Sequence, residues 1–211
     1  QYHVENSWWY NQISTENNIS WYAALRMLHQ ITGKEIYREA MLKIEHYFKA
    51  VWNPKQNYFY QGMNYENGQW YPNTQDFALD VQTWCIAALG PEKIDEWFGE
   101  GTTYRMWDVS KSMSGSWDRS GRLKGVGYTK ENDRVSVEWT AGAILAARKL
   151  AVYYEKSHPQ WAAVLRTDAT MMREGIESLR MELSPAQSAY AYSSRRGWIP
   201  FGWNSHDPEV L

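Results

Sequence analysis

The ten residues from Arg134 to Ala143, RVSVEWTAGA, join a long loop rich in Gly and Ser to the most apolar helix that the sequence predicts. Ser136 is placed to cap this helix, because its hydroxyl can accept a hydrogen bond from a first-turn N–H that has no partner inside the helix. Glu138 falls in the first turn, where the helix dipole favours negative charge. Glu138 is therefore either a helix-start acid or part of a functional site.

Two further acids occupy the same position in the pattern. Glu16 and Asp80 each stand where a long aromatic loop meets an apolar helix. Taken singly, each acid is explained by helix capping or by the helix dipole. Three acids in equivalent positions instead indicate a shared site, and we predict Glu138, Asp80 and Glu16 as its catalytic residues.

Apolar residues repeat at helical spacing in six segments that are separated by Gly, Pro and long loops. The predicted helices cover residues 17–32, 36–51, 80–89, 92–98, 137–156 and 159–183. The loop 55–79 is predicted to contain one strand pair, around 58–60 and 69–71, and the loop 99–136 no regular structure. The unit of long loop, apolar helix, tight turn and amphipathic helix recurs with a period of roughly 60 residues.

The helices fall into two classes, which predict an all-α architecture. The first, third and fifth are apolar nearly all round, so we expect them in an inner layer, with the one-sided helices covering them outside. That arrangement is an α/α toroid, incomplete here, with residues 1–211 as one domain. It brings the inner-helix N-termini and the long aromatic loops to one face, where the three acids and the region of His206 and Asp207 are predicted to meet.

The aromatic content is the unusual feature of the composition, with 13 Trp and 15 Tyr. Many of these rings stand in loops beside amides and Gly, which suits carbohydrate, because sugar C–H faces stack on rings while hydroxyls bond to planar polar groups. Arg195 is a candidate partner for an acidic sugar, with a solvated basic turn as the alternative. We predict that several rings are exposed on the common face, from the set Trp8, Trp9, Trp70, Trp107, Trp117 and Trp198. The predicted substrate-binding residues are Trp70, Tyr71, Trp107, Trp117, Trp139, Arg195, Trp198 and His206.

Several classes of partner are disfavoured. The net charge is −2 with scattered Lys and Arg, unlike a nucleic-acid binder. No apolar run approaches the roughly 20 residues of a membrane span, and the spacing of His, Asp and Cys resembles neither a zinc nor a calcium site. We therefore expect no metal or cofactor. The first residues lack a signal-peptide layout, so the chain is mature, trimmed or intracellular; of these we expect an exported, periplasmic or extracellular protein.

Three short motifs resemble a known group. STENNI from Ser14, LDVQTW from Leu79 and VEWTA from Val137, in this order and with these gaps, resemble bacterial proteins of the six-hairpin glycosidase-like group, which have an (α/α)6 toroid. The resemblance implies a glycoside hydrolase acting on a polysaccharide or oligosaccharide, with the sugar in a cleft across the inner-helix N-termini and acids performing an inverting reaction.

Two departures from that group affect the expectation. Trp139 stands where many relatives have Gly, so it can narrow or block the sugar subsite. Only three hairpins are predicted where a full toroid needs six, so the chain is either a fragment of a longer protein or a half-toroid that pairs with a partner. A predicted seventh-helix start at 205–209 favours the fragment.

Glycoside hydrolysis needs two carboxyl groups, about 5–5.5 Å apart for retention and roughly 6.5–9.5 Å for inversion. Glu138 is the predicted proton donor because its apolar neighbours raise a carboxyl pKa. Asp80 is then the base, and Glu16 an alternative base or a hydroxyl ligand. Two alternatives remain open: a non-catalytic glycan-binding or assembly module, and a lyase or epimerase that uses His206 with Arg195 or Arg196.

Overall fold

The computed structural model describes residues 11–130, 133–195, 198–199 and 203–204. The helices in this part of the chain are α1 Thr15–Thr32, α2 Glu35–Ala50, α3 Leu79–Leu89, α4 Pro91–Phe98, α5 Thr102–Ser114, α6 Val137–Tyr154 and α7 Pro159–Glu177. Short strands connect them: β1 Gln12–Ser14, β2 Trp52–Asn53, β3 Tyr58–Phe59, β4 Gly62–Glu66, β5 Gln69–Pro72, β6 Gly115–Trp117, β7 Leu123–Val126, β8 Arg180–Ser184, β9 Gln187–Tyr190, β10 Trp198–Ile199 and β11 Trp203–Asn204.

Two of the three inner helices begin with a serine cap. The Ser136 hydroxyl accepts a hydrogen bond from the Trp139 N–H at 3.3 Å, which confirms the predicted cap of α6. Ser14 caps α1 in the same way, accepting from the Asn17 N–H at 3.2 Å. Gly33 ends α1 in the left-handed conformation, with φ of 66°. Local sequence therefore sets both the start and the stop of α1.

Helix α3 lies between α1 and α6 and is the centre of the fold. Helix α2 packs on α1, α4 and α5 pack on α3, and α7 packs on α6. The neighbours also hold the end of α3: Arg26 of α1 donates to the Ala88 carbonyl oxygen at 2.5 Å, and Lys149 of α6 donates to that of Ala87 at 2.8 Å. Cations are favoured at a helix C-terminus, so these contacts stabilise the end of α3 and connect it to α1 and α6.

The ring of helices is open. Helix α3 is almost entirely buried, whereas α1 and α6 each leave large apolar side chains in solvent. On α1, Trp21 is 63% and Ile31 81% exposed; on α6, Leu145 is 58% and Val152 70% exposed. Such apolar faces on the two flanking inner helices are what an incomplete α/α toroid leaves uncovered, and the predicted fold class is confirmed.

The prediction that residues 99–136 contain no regular structure is wrong, because this segment contains α5 and the β6–β7 hairpin. Helix α5 is capped from a distance: the Asp95 carboxylate accepts from the Gly101 N–H at 3.0 Å and from the Thr103 N–H at 2.8 Å. Its buried face includes Ser110 and Ser114. Small polar residues on the buried side conceal the helical periodicity.

Two other boundaries differ from the prediction. Helix α7 ends at Glu177, six residues earlier than expected, and the chain turns into the β8–β9 hairpin. The strand pair expected between residues 58–60 and 69–71 is also wrong, because β3 pairs with β2 and β5 pairs with β4. Strand β4 also pairs with β1, which forms a three-stranded sheet beside the start of α1.

No helix within the described ranges combines the length and the apolarity that a membrane crossing requires.

Candidate active site

The three predicted acids stand in the first turns of the three inner helices. Glu16 is in α1, Asp80 in α3 and Glu138 in α6. The charges of Glu16 and Glu138 both raise the pKa of Asp80, so the three carboxyl groups share one electrostatic environment. The structure thus brings these acids to the same end of the helices, with Asp80 in the middle because α3 lies between α1 and α6.

Asp80 is the carboxyl group whose protonation the fold changes most clearly. Burial raises its pKa to about 7, and the charges of Glu16 and Glu138 add to that effect. The Val81 N–H opposes the shift, since it donates to Asp80 Oδ1 at 2.7 Å and favours the ionised form. An acid with this pKa holds its proton for a large part of the time near neutrality and can donate it.

Glu138 has a different environment from the one predicted. Its side chain is exposed, although Trp139 beside it is buried. The apolar setting on which its role as proton donor was based is therefore absent. Its charge does act on Tyr192, whose pKa is raised by burial and then by Glu138. Glu16 is half-buried and accepts a hydrogen bond from the Ser20 hydroxyl at 3.3 Å.

Trp107 is a core residue, and its predicted contact with substrate is wrong. The ring is 1% exposed, and its indole N–H donates to Asp168 Oδ2 at 2.9 Å. Lys111 donates to the same carboxylate oxygen at 3.0 Å. Trp139 is also nearly buried, at 9% exposure, with its ring edge-on to Tyr128 at 4.9 Å between centroids. Trp139 thus offers little surface to a sugar.

Three of the other predicted rings are exposed. Trp70 is 40%, Tyr71 47% and Trp117 45% exposed. Trp70 and Tyr71 are neighbours on β5, so their side chains point to opposite faces of the sheet. Trp70 packs against Tyr65 with centroids 5.1 Å apart, and Tyr71 lines a cavity. The side chains of Trp8, Trp9, Trp198 and His206 lie outside the described residues.

Arg195 is exposed and forms an ion pair with Asp133. An exposed ion pair of this kind contributes little free energy, and it agrees with the alternative interpretation of this segment as a solvated basic turn.

A cavity of about 530 Å³ beside the start of α1 was missed by the prediction. Its lining is rich in amides from three separate segments of chain: Gln12, Asn17, Gln61, Asn64 and Asn73. A second cavity, of about 410 Å³, shares Gln12, Asn64, Asn73 and Asp76 with it and includes Tyr71. We call the two together the amide pocket. The amide-rich loops were the signal in the sequence, but only the folded sheet brings them together.

No group of three or more His, Cys, Asp or Glu side chains within the described residues is arranged to hold a metal ion.

No protein-family model matches the sequence, and no curated protein matches it. Solved structures match by fold. The unsaturated glucuronyl hydrolase of Bacillus sp. GL1 superposes with a TM-score of 0.53 and 12% identity, over 82% of this chain and 48% of that one. The unsaturated glucuronyl hydrolase of Streptococcus agalactiae superposes with a TM-score of 0.56 and 13% sequence identity, over 84% of this chain and 47% of that one. A reducing-end-xylose releasing exo-oligoxylanase superposes with a TM-score of 0.50 and 13% sequence identity, over 86% of this chain and 49% of that one. The fold is that of the six-hairpin glycosidase-like α/α toroids.

The chain spans about half the length of these toroids. Half of a six-hairpin toroid corresponds to three inner helices, which is the number found in the described residues, and it leaves the faces of α1 and α6 exposed. A fold of this kind can host different reactions, so the function follows from the side chains at the inner-helix N-termini.

Proposed function

We propose that this protein is a glycoside hydrolase that cleaves a polysaccharide or oligosaccharide by carboxylate acid/base catalysis. The observation that carries the proposal is the Asp80 carboxyl group, held with a pKa of about 7 between two other acids. Titratable groups with strongly shifted pKa values concentrate at active sites, and a glycosidase needs one protonated and one ionised carboxyl group. The glycoside hydrolases of similar fold add support for this reaction class.

Asp80 is the proton donor in this proposal, in place of Glu138. A donor must hold a proton near the operating pH, and the pKa of Asp80 meets that condition. The exposed Glu138 carboxylate is suited to the other role, since a base must reach a water molecule. Glu16 supplies the second negative charge beside Asp80 and is an alternative base or a ligand for a sugar hydroxyl.

The reaction proceeds in one displacement. Asp80 gives its proton to the glycosidic oxygen as the bond from that oxygen to the anomeric carbon breaks. Water attacks the anomeric carbon from the opposite side, and Glu138 takes the proton that the water loses. The anomeric configuration inverts, as it does when a water molecule fits between the two carboxyl groups.

The test is hydrolysis of a polysaccharide and oligosaccharide panel by the full natural protein and its Asp80→Asn variant. The variant keeps the shape and the acceptor for the Val81 N–H but has no proton to donate, so turnover falls by about two to four orders of magnitude while glycan binding persists. Equal turnover of the two proteins would refute the proposed role of Asp80. The anomer released, read by NMR, distinguishes inversion from retention.

A second candidate is a glycan-binding module without hydrolysis. It is favoured by the open ring, because the described chain supplies acids from three inner helices while the similar toroids are about twice as long. In that case the panel is bound but not cleaved, and Asp80→Asn leaves both properties unchanged.

We also propose that further helical hairpins, from a longer chain or from a partner, cover the exposed faces of α1 and α6 and complete the ring. Export to the periplasm or the cell exterior remains a prediction.

A further inference from the structure

The amide pocket is built on the three-stranded sheet at the start of α1. Strands β1, β4 and β5 pair so that Gln12 is opposite Asn64, and Asn64 is opposite Tyr71. Directly paired residues of neighbouring strands project from the same face of a sheet. Two amides and one aromatic ring therefore form a single row across the sheet, and all three residues line the pocket.

One wall of the pocket is held in place by its own hydrogen bonds. Asn73 Nδ2 donates to Gln61 Oε1 at 3.1 Å and to Asp76 Oδ2 at 3.0 Å. Its Oδ1 accepts from the Gln75 N–H at 3.1 Å. This wall needs no rearrangement before it binds a ligand, which lowers the entropic cost of binding.

Other polar groups of the pocket are available to a ligand. Within the described residues, the side-chain amides of Gln12, Asn17 and Asn64 make no hydrogen bond to protein. The Tyr71 ring beside them is 47% exposed, and its hydroxyl is turned to Gln69. Planar amides next to an open ring match a pyranose or furanose, which presents hydroxyls at its edge and C–H groups on its face.

The charge of the lining selects among sugars. Asp76 lines both cavities and Glu66 lines the second, and no Lys, Arg or His of the described chain lines either one. Glu16 adds a further acid in the first turn of α1. A sugar carboxylate or sulfate would approach negative charge without a cation to balance it.

We propose that the amide pocket is a subsite for a neutral sugar unit, which stacks on Tyr71 and bonds to Gln12 and Asn64 while the adjoining glycosidic bond lies at the three acids. This proposal rests on the proposed glycoside hydrolase and adds the chemical class of the sugar. The pocket then sets substrate position and specificity without taking part in proton transfer.

The experiment compares Tyr71→Ala with Tyr65→Ala in the full natural protein. Tyr65 is a matched control, because it is 41% exposed on the adjacent strand and pairs with Trp70 on the opposite face of the sheet. The probes are a neutral xylo-oligosaccharide and an oligogalacturonate of equal length, with affinities from calorimetry. We expect Tyr71→Ala to weaken xylo-oligosaccharide binding by about tenfold, since an aromatic contact contributes ~0.5–1.5 kcal/mol beyond its buried area. Tyr65→Ala should leave the affinity unchanged.

Two variants of Asn64 test the hydrogen bonding and the charge. Asn64→Ala should weaken binding of the neutral probe by roughly 2- to 10-fold, the value of one hydrogen bond. Asn64→Lys introduces a cation, so it should improve oligogalacturonate binding and reduce xylo-oligosaccharide binding. Preserved circular dichroism spectra and melting temperatures show that each variant is folded.

The outcomes separate the subsite from the reaction. Failure of the wild-type protein to bind the neutral probe, preference for the oligogalacturonate, or equal effects of Tyr71→Ala and Tyr65→Ala would each overturn the neutral-sugar subsite, even if Asp80→Asn abolishes hydrolysis. Tyr71-dependent binding together with hydrolysis that is absent, or indifferent to Asp80→Asn, would support the subsite and reject the glycoside hydrolase.

Discussion

The substitution Asp80→Asn should stabilise the protein at high pH. The pKa of Asp80 is about 7 in the folded chain against 3.8 ordinarily. Each pKa unit corresponds to 1.36 kcal/mol, so ionised Asp80 costs the folded state about 4 kcal/mol. Asparagine has no charge to bury, and its side-chain oxygen can still accept the Val81 N–H bond that Asp80 Oδ1 now accepts at 2.7 Å.

The sign and the pH window follow from proton binding. Between about pH 4 and pH 7 the folded chain retains the Asp80 proton that the unfolded chain has lost, so wild-type stability falls as pH rises through this range. Asparagine does not titrate. The variant should therefore match the wild type near pH 4 and exceed it by up to about 4 kcal/mol at pH 8.

Urea unfolding at pH 4, 6 and 8 measures this difference, and hydrolysis of the glycan panel is measured on the same preparations. Glu92→Gln is the control, because Glu92 is an exposed acid in the first turn of α4. Loss of a dipole partner there should lower stability by about 0.3–1 kcal/mol and leave turnover unchanged. A variant Asp80→Asn that is less stable than the wild type at pH 8 and still hydrolyses glycan would refute the reasoning, because Asp80 would then be only a helix-start acid.

Three other predictions address the core, the open face and the acid cluster. Trp107→Phe removes one of the two donors to the buried Asp168 carboxylate, so the free energy of unfolding should fall by about 1–3 kcal/mol while turnover is kept. Lost turnover at unchanged stability would instead indicate that this ring contacts substrate. Leu145→Ala should cost about 2–5 kcal/mol in the full natural protein if further hairpins cover α6, and a change below about 0.5 kcal/mol would show that this face stays open. Glu16→Gln removes a neighbouring charge and should lower the pKa of Asp80, measured by a carbon NMR titration of its carboxyl group; an unmoved pKa would separate the two acids.

The inner helices could be predicted because their signals are local. Ser136 and Gly33 act within one turn of the helix ends that they set, and apolar residues cover most of α3. Helix α5 could not be predicted, since its first turn is capped by Asp95 and its buried side carries Ser110. When the capping residue belongs to another helix, the sequence at the start of the capped helix contains no capping signal.

The candidate site divides in the same way. The positions of the acids follow from the loop-to-helix pattern, but the pKa of Asp80 also depends on the charges of Glu16 and Glu138, which come close to it only in the folded chain. For Glu138 the sequence predicted an apolar environment that the fold does not provide. Its neighbour Trp139 is buried in the core, whereas the Glu138 side chain is exposed to solvent. Tyr71 and Asn64 illustrate a third case, since strand register alone brings them onto one face.

The order of the helices gives a physical reason why Asp80, and neither of the other acids, is the proton donor in the proposed reaction. Each acid begins a helix whose dipole favours its negative charge. Three like charges at one end of a bundle nevertheless repel one another, and the middle one has two neighbours where the outer ones have one. Both Glu16 and Glu138 act on Asp80, and α3, between α1 and α6, is also the most buried of the three helices. Burial and repulsion therefore act on the same residue, and both raise its pKa. A row of inner helices with an acid at each start thus raises the pKa of the middle carboxyl group through its topology, and an acid/base glycosidase requires a carboxyl group that holds a proton near neutrality.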